Sequence, residues 1–211
     1  VKMRTFITED VSRNEMVQHV YDITYGTVRP GLETLVVIDD SIVRGTTLKE
    51  SIIRMLARLK PKRIVIVSSS PQIRYPDCYG IDMSKMGDFI AFNAAVELLK
   101  ERNKTDLLKD MLERCKDLQR NNQLHTENVV KQLYKQFTAE EISFKIAKLI
   151  TPPELTIPVH VIFQTIEDLH KACPNNLGDW YFTGNYPTPG GNKVVNKAFM
   201  NYMEGKNVRG Y

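Results

Sequence analysis

The stretch Leu35 to Thr47 reads L-V-V-I-D-D-S-I-V-R-G-T-T, and its residue types could do chemistry. An apolar, mostly β-branched run ends in two adjacent carboxylates, Asp39 and Asp40. A short loop follows, Ser41-Ile42-Val43-Arg44-Gly45, and then two hydroxyls, Thr46 and Thr47. Beyond it Leu48, Ile52, Leu56 and Leu59 recur at helical spacing, with Ile53 and Met55 beside them. The order is buried strand, tight turn, helix N-terminus. Unpaired backbone N–H groups and the positive end of the helix dipole suit a phosphate there. Gly45 lets the backbone approach an anion closely. Thr46 and Thr47 can donate hydroxyl hydrogen bonds, and Arg44 can supply charge.

The paired aspartates narrow the ligand. A nucleotide-triphosphate loop would place Gly-Lys-Ser/Thr here, and two carboxylates beside a phosphate repel it. They make sense when the ligand also carries vicinal hydroxyls, since a carboxylate accepts hydroxyl donors well. Ribose 5-phosphate has both features. A strand that ends in Asp as a helix N-cap is the simpler alternative. It accounts for one aspartate and leaves the second, and Gly-Thr-Thr, without a role.

With those residues in view, Asp39 to Thr47 resembles the phosphoribosyl pyrophosphate (PRPP) signature of type I phosphoribosyltransferases. The Ser-Ile-Val-Arg form of the loop resembles that of the glutamine-dependent amidophosphoribosyltransferases. Arg4-Thr5-Phe6-Ile7 resembles that family's mobile active-site loop. Ser70 to Pro76 and Tyr79-Gly80-Ile81-Asp82 resemble the segment after its next strand, and Phe182-Thr183-Gly184-Asn185-Tyr186-Pro187-Thr188 resembles a motif near its C-terminus. The resemblance is dense over residues 1–96 and 159–188 and thin between.

The resemblance implies an enzyme that displaces pyrophosphate from C1 of PRPP with ammonia from glutamine, giving 5-phosphoribosylamine, the first step of purine nucleotide synthesis. Asp39 and Asp40 would be the catalytic residues, favouring a cationic ribose ring and not acting as general acid or base. They would hold the ribose hydroxyls directly or through Mg²⁺, the expected cofactor. Ser41, Ile42, Val43, Arg44, Gly45, Thr46 and Thr47 would bind the 5-phosphate. Lys2, Arg4, Thr5, Phe6 and Ile7 would close over the substrate and exclude water. PRPP and purine nucleoside monophosphates are the implied ligands, and the cytoplasm the implied location. The family's N-terminal glutaminase unit and its pyrophosphate loop have no counterpart here. The chain is therefore expected to be the C-terminal part of a longer enzyme, turning over little PRPP alone. One sheet edge is expected to be exposed or paired with another copy.

Two other readings stay open: a PRPP or nucleotide sensor that keeps the fold without turnover, and a salvage phosphoribosyltransferase acting on a free base. The lack of a DNA-binding motif and the C-terminal match weigh against the first, and the Ser-Ile-Val-Arg loop and the Phe-Thr-Gly-Asn-Tyr-Pro motif against the second.

Composition sets the frame. Among 211 residues, 42% hydrophobic and 26% charged content fits an ordinary soluble globule. No apolar run approaches a membrane span. A net charge of +4 is slight. Arg54, Arg58, Lys60, Lys62 and Arg63 read as a solvated helix end, not a nucleic-acid surface, because no aromatic residues interleave with them. Cys78, Cys115 and Cys173 are far apart, with no C-x-x-C. They read as free thiols of a reducing compartment. Some members of the resembled family carry an iron–sulfur cluster on four cysteines, so none is expected here. None of the four histidines reads as a metal ligand.

The fold expected is α/β: a type I phosphoribosyltransferase-like parallel sheet flanked by helices, incomplete at its N-terminal side, with an inserted helical element. Strands are predicted at Thr34 to Ile38, Arg63 to Ser68 and Val159 to Phe163. The first two are one βαβ unit apart, hence parallel and buried on both faces. Ligands of such sheets sit at the carboxyl ends of the strands. The Pro71 to Pro76 loop leaves one such end and could reach the same crevice. Helices are predicted over Val11 to Tyr25, Thr46 to Lys60, Asp88 to Leu99, twice within Lys100 to Gln136, from the Thr138 capping box to Leu149, and from Thr165 to Ala172. Gly190-Gly191 reads as loop. Three segments result: 1–99, the core with the PRPP motif; 100–157, an inserted helical segment, whose Lys100 to Gln136 part reads as a helical hairpin lying on the domain ahead of the alternative of a partner-binding surface; and 158–211, a closing strand–helix unit with a tail.

Overall fold

The computed structural model describes residues 26–78, 83–176 and 178–210. The Lys2 to Ile7 loop, the Val11 to Tyr25 helix and Tyr79 to Asp82 lie outside the described residues. Strands β1 (Thr34–Asp39), β2 (Arg63–Ser68) and β3 (Val159–Phe163) form a parallel sheet in the order β1-β2-β3. Asp39 pairs with Ser68, and Ser68 with Phe163, so the three carboxyl ends are aligned.

Among the described residues the sheet is covered on one face only. Ile64, Ile66 and Val161 point into the core, at 0%, 0% and 8% exposure, whereas Val36, Ile38 and Ile162 on the other face are 55%, 73% and 54% exposed. The topology accounts for the covered face. Both crossovers step the same way along the sheet. The right-handed rule therefore puts both sets of helices on one face. Among the described residues nothing covers the other.

After β1 the chain turns through the Ser41 to Gly45 loop into a helical run. Its first part, Leu48–Ile52, is π-helical, with the Ile53 N–H bonded to the Leu48 carbonyl, and it continues as α1 (Ile53–Ala57). The wider turn displaces the apolar stripe: Leu48 and Ile53 are buried, while Ile52 and Leu56 only flank the core. A 3-10 turn, Met86–Asp88, precedes α2 (Ile90–Glu101). Next come α3 (Asp106–Arg120), α4 (Lys131–Tyr134) and α5 (Ala139–Ile150). Helix α5 starts at the Thr138–Glu141 capping box and packs against α2 and β3. After β3, Thr165 caps α6 (Ile166–Ala172), and α7 (Trp180–Thr183) and α8 (Pro189–Met203) complete the order.

Two expectations change. The segment after residue 100 is not a hairpin lying on the domain. Helix α4 is a single turn, and the stretch before it is tied down by Asn196, which accepts from the Val129 N–H and donates to the Leu124 and Glu127 carbonyls. Leu108, Met111, Cys115 and Leu118 of α3 enter the same core as Ile66, Phe92 and Ile146. Burying such side chains is worth roughly 1.5–3 kcal/mol each. Gly190-Gly191 is not loop either. Pro189 opens α8, a position where its missing N–H costs nothing. A Cβ on Gly191 would lie 2.2 Å from Cγ of Tyr186, so glycine is needed for close packing. The tail that gave no functional signal is a core helix, with Val195 and Phe199 fully buried.

Candidate functional site

The aspartates stand at the carboxyl end of β1, where the sequence placed them, but their settings differ. Asp39 belongs to the strand and is half-buried; Asp40 is exposed. Burial, and then the Asp40 carboxylate, push the Asp39 carboxyl above its ordinary value, against a backbone hydrogen bond that lowers it. That bond is the Asp40 N–H donating to Asp39 Oδ1 at 3.0 Å, and the Ser41 N–H donates to Asp40 Oδ1 at 2.7 Å. Each carboxylate thus spends one oxygen on fixing the turn. The second oxygen of each can serve a ligand. Two carboxylate ligands, completed by substrate or water oxygens, match the way Mg²⁺ is usually held.

The loop is anchored through its apolar residues. Ile42 is 3% exposed, and the Ile90 N–H donates to the Val43 carbonyl at 2.8 Å. Ile42 could therefore contact a ligand only through its backbone. Arg44 Nη2 is 3.1 Å from Asp88 Oδ2, a partner that the sequence reading missed. No local pattern could have revealed it, because the two residues meet only through the fold. Gly45 has φ +72°, in the left-handed region that favours glycine, and a Cβ there would sit 2.8 Å from Ile150 Cγ2. The first helical bond joins the Lys49 N–H to the Gly45 carbonyl at 3.0 Å. The N–H groups of Thr46, Thr47 and Leu48 precede that bond, as at any helix start. They give an anion its donors beside the exposed Thr46.

The segment after β2 does less than expected. Ser69 meets the site: its N–H donates to the Asp39 carbonyl at 2.8 Å. The residues beyond turn inward. Gln72 is 4% exposed and donates to the Ala139 carbonyl and Ser143 Oγ, both at 2.8 Å. Arg74 Nη2 donates to Gln72 Oε1 at 2.7 Å, and its guanidinium lies over the Tyr134 ring. Gln72 therefore ties the Pro71 to Pro76 segment to α5. Gln164, just past β3, was also missed; its N–H donates to the Ser68 carbonyl at 3.2 Å and completes the row of strand ends.

No family model matches the chain. Among curated proteins it matches the amidophosphoribosyltransferase of Haemophilus influenzae at 42% identity over 69 residues, 33% of this chain and 14% of that protein. The Escherichia coli amidophosphoribosyltransferase matches at 39% over 69 residues, again 33% and 14%. That of Schizosaccharomyces pombe matches at 34% over 89 residues, 40% of this chain and 16% of the relative. About a third of this chain is similar to amidophosphoribosyltransferases. The matched part spans only 14–16% of the length of these relatives.

Among the described residues no helix is long and apolar enough to cross a membrane. Cys78, Cys115 and Cys173 are free thiols; burial pushes Cys115 up to about 12.

Proposed function

We propose that this chain carries the PRPP-binding segment of a glutamine-dependent amidophosphoribosyltransferase, a cytoplasmic glycosyltransferase acting at the first step of purine nucleotide synthesis. The observation that carries the reading is the run from the Asp39–Asp40 strand end, through the loop pinned at Ile42 and Val43, to the helix start at Gly45. It sets two carboxylates and a set of backbone donors on one loop, matching the hydroxyls and the 5-phosphate of a phosphorylated ribose. Sequence similarity to enzymes of that name supports it independently.

In this reading the amides of Gly45 to Thr47 and the Thr46 and Thr47 hydroxyls hold the 5-phosphate. Asp39 and Asp40 accept the ribose hydroxyls and favour the positive charge that grows on the ring as the C1–O bond to pyrophosphate breaks. Mg²⁺, when bound at these carboxylates, would neutralise charge on the leaving pyrophosphate. Arg44 is held by Asp88 and shapes the loop electrostatically. Ammonia attacks C1, pyrophosphate leaves with the bonding pair, and the proton lost by nitrogen goes to solvent. The Lys2 to Ile7 segment would cover the site against water.

Calorimetric titration with ribose 5-phosphate, with and without Mg²⁺, tests the reading. The wild type should bind. Asp39→Asn combined with Asp40→Asn should lose at least about tenfold in affinity, since each change weakens a charge-assisted contact, while the melting temperature holds. Unchanged affinity would overturn it.

A further inference from the structure

A polar cavity of about 490 Å³ opens between α4 and the Gly184 to Tyr186 turn, with none of its lining residues drawn from the Asp39 to Thr47 loop. Such a volume is that of an ordinary small-ligand site. Lys131 and Lys135 stand on its wall one helical turn apart, so their ammonium groups share a side. Lys131 Nζ donates to Asn185 Oδ1, which fixes its direction and leaves it two further N–H donors. Lys135 is exposed, with no carboxylate partner among the described residues. The one carboxylate on the lining, Glu127, is taken by Arg114, whose Nε donates to Glu127 Oε1 at 2.8 Å. Asp179, a carboxylate close enough to act electrostatically on Lys131, accepts from the Thr183 hydroxyl at 3.1 Å.

Four of the other lining residues, Asn128, Gln132, Asn185 and Asn192, carry carboxamides. The Asn128 amide donates to the Gly184 carbonyl at 3.2 Å, and the Asn192 amide to the His125 carbonyl at 3.1 Å. These bonds hold both side chains in place and leave the Asn192 carbonyl oxygen and the Asn185 amide nitrogen for a ligand. The Tyr186 ring is pressed against Gly191 and forms part of the wall. Two like charges at one mouth repel, and burial with Lys135 nearby lowers the proton affinity of Lys131. An anion bridging them relieves both.

We propose that this cavity binds a small phosphorylated polyol, its phosphate bridging Lys131 and Lys135 and its hydroxyls meeting Asn185 and Asn192. Phosphate is favoured over a lone carboxylate because two ammonium groups call for about two negative charges. Carboxamides both donate to and accept from hydroxyls.

The test is two-dimensional ¹H–¹⁵N NMR of the whole chain, because shifts are read at named residues and binding at the Asp39 to Thr47 loop cannot be mistaken for it. Glycerol 3-phosphate should shift the Gly184 and Asn185 backbone amides and the Asn192 side-chain amide saturably. Inorganic phosphate should do so more weakly. Lys131→Met with Lys135→Met should weaken binding about tenfold or more, whereas Lys131→Arg with Lys135→Arg should keep it, which separates lost charge from lost fold. No saturable shift at these residues, or equal binding by the Met variant, would overturn the site. Equal affinities for the two probes would overturn the polyol assignment.

Discussion

Gly45→Ala probes the point where the candidate loop meets the core. Two costs can be worked out. At φ +72° an alanine is held in the left-handed region, at about 1–2 kcal/mol. Its Cβ would also stand 2.8 Å from Cγ2 of Ile150, a side chain only 1% exposed, and 3.4 Å from Cγ1 of Ile90. Overpacking of that kind costs about 1–3 kcal/mol. The total, about 3 kcal/mol, lowers the melting temperature by some 6–12 °C for a chain of this size. The two parts separate in a double-mutant cycle with Ile150→Leu, which removes the offending Cγ2 methyl while keeping volume. Urea unfolding of the four proteins should show Gly45→Ala costing less in the Ile150→Leu background by the overpacking share, with the backbone share left. Ribose 5-phosphate affinity, measured alongside, should recover in part as the loop reseats. Equal costs in both backgrounds would refute the contact, and no cost in either would refute the whole account of Gly45.

The Asp39 carboxyl, raised by burial above its ordinary 3.8, binds its proton more readily folded than unfolded, so stability contributed by this group falls as pH rises from that value through the folded one. Asp39→Asn should therefore flatten that slope and leave the chain at least as stable at neutral pH, even as ligand binding is lost; denaturant midpoints from about pH 4 to 7 check it, and a less stable variant at pH 7 would refute it. Asn196, 0% exposed, accepts from the Val129 N–H at 3.0 Å and donates to the Leu124 and Glu127 carbonyls at 2.9 and 2.7 Å. Asn196→Ala leaves these backbone groups unsatisfied at roughly 1–3 kcal/mol each, so thermal melting should fall by several degrees, and a change below about 1 °C would show that water replaces the side chain.

Much of the fold was legible in the sequence because it depends on near neighbours. Strand positions follow from apolar runs that end at Asp39, Ser68 and Phe163. The start of α5 follows from Thr138 and Glu141 satisfying each other's backbone, and that of α6 from Thr165. The candidate ribose-phosphate loop was legible for the same reason: its carboxylates, glycine and threonines are contiguous, so one strand–turn–helix step assembles them. Short-range signals failed where distant segments decide. Apolar β-branched strands read as buried on both faces, yet the described crossover helices lie on one side, because the direction of the crossovers, not strand composition, assigns them there, and Val36, Ile38 and Ile162 stand on the other. Gly190-Gly191 read as loop, since nothing local announces that the Tyr186 ring occupies the space a Cβ would need. The same holds for chemistry. The sequence named Arg44 as a charge for the ligand, but only the tertiary structure could give it Asp88. Only the fold, too, could bring Lys131 and Lys135 to the same cavity as Asn185, more than fifty residues away from Lys131. Pair energies act over a few ångströms, and sequence distance carries no information about which residues the fold brings that close.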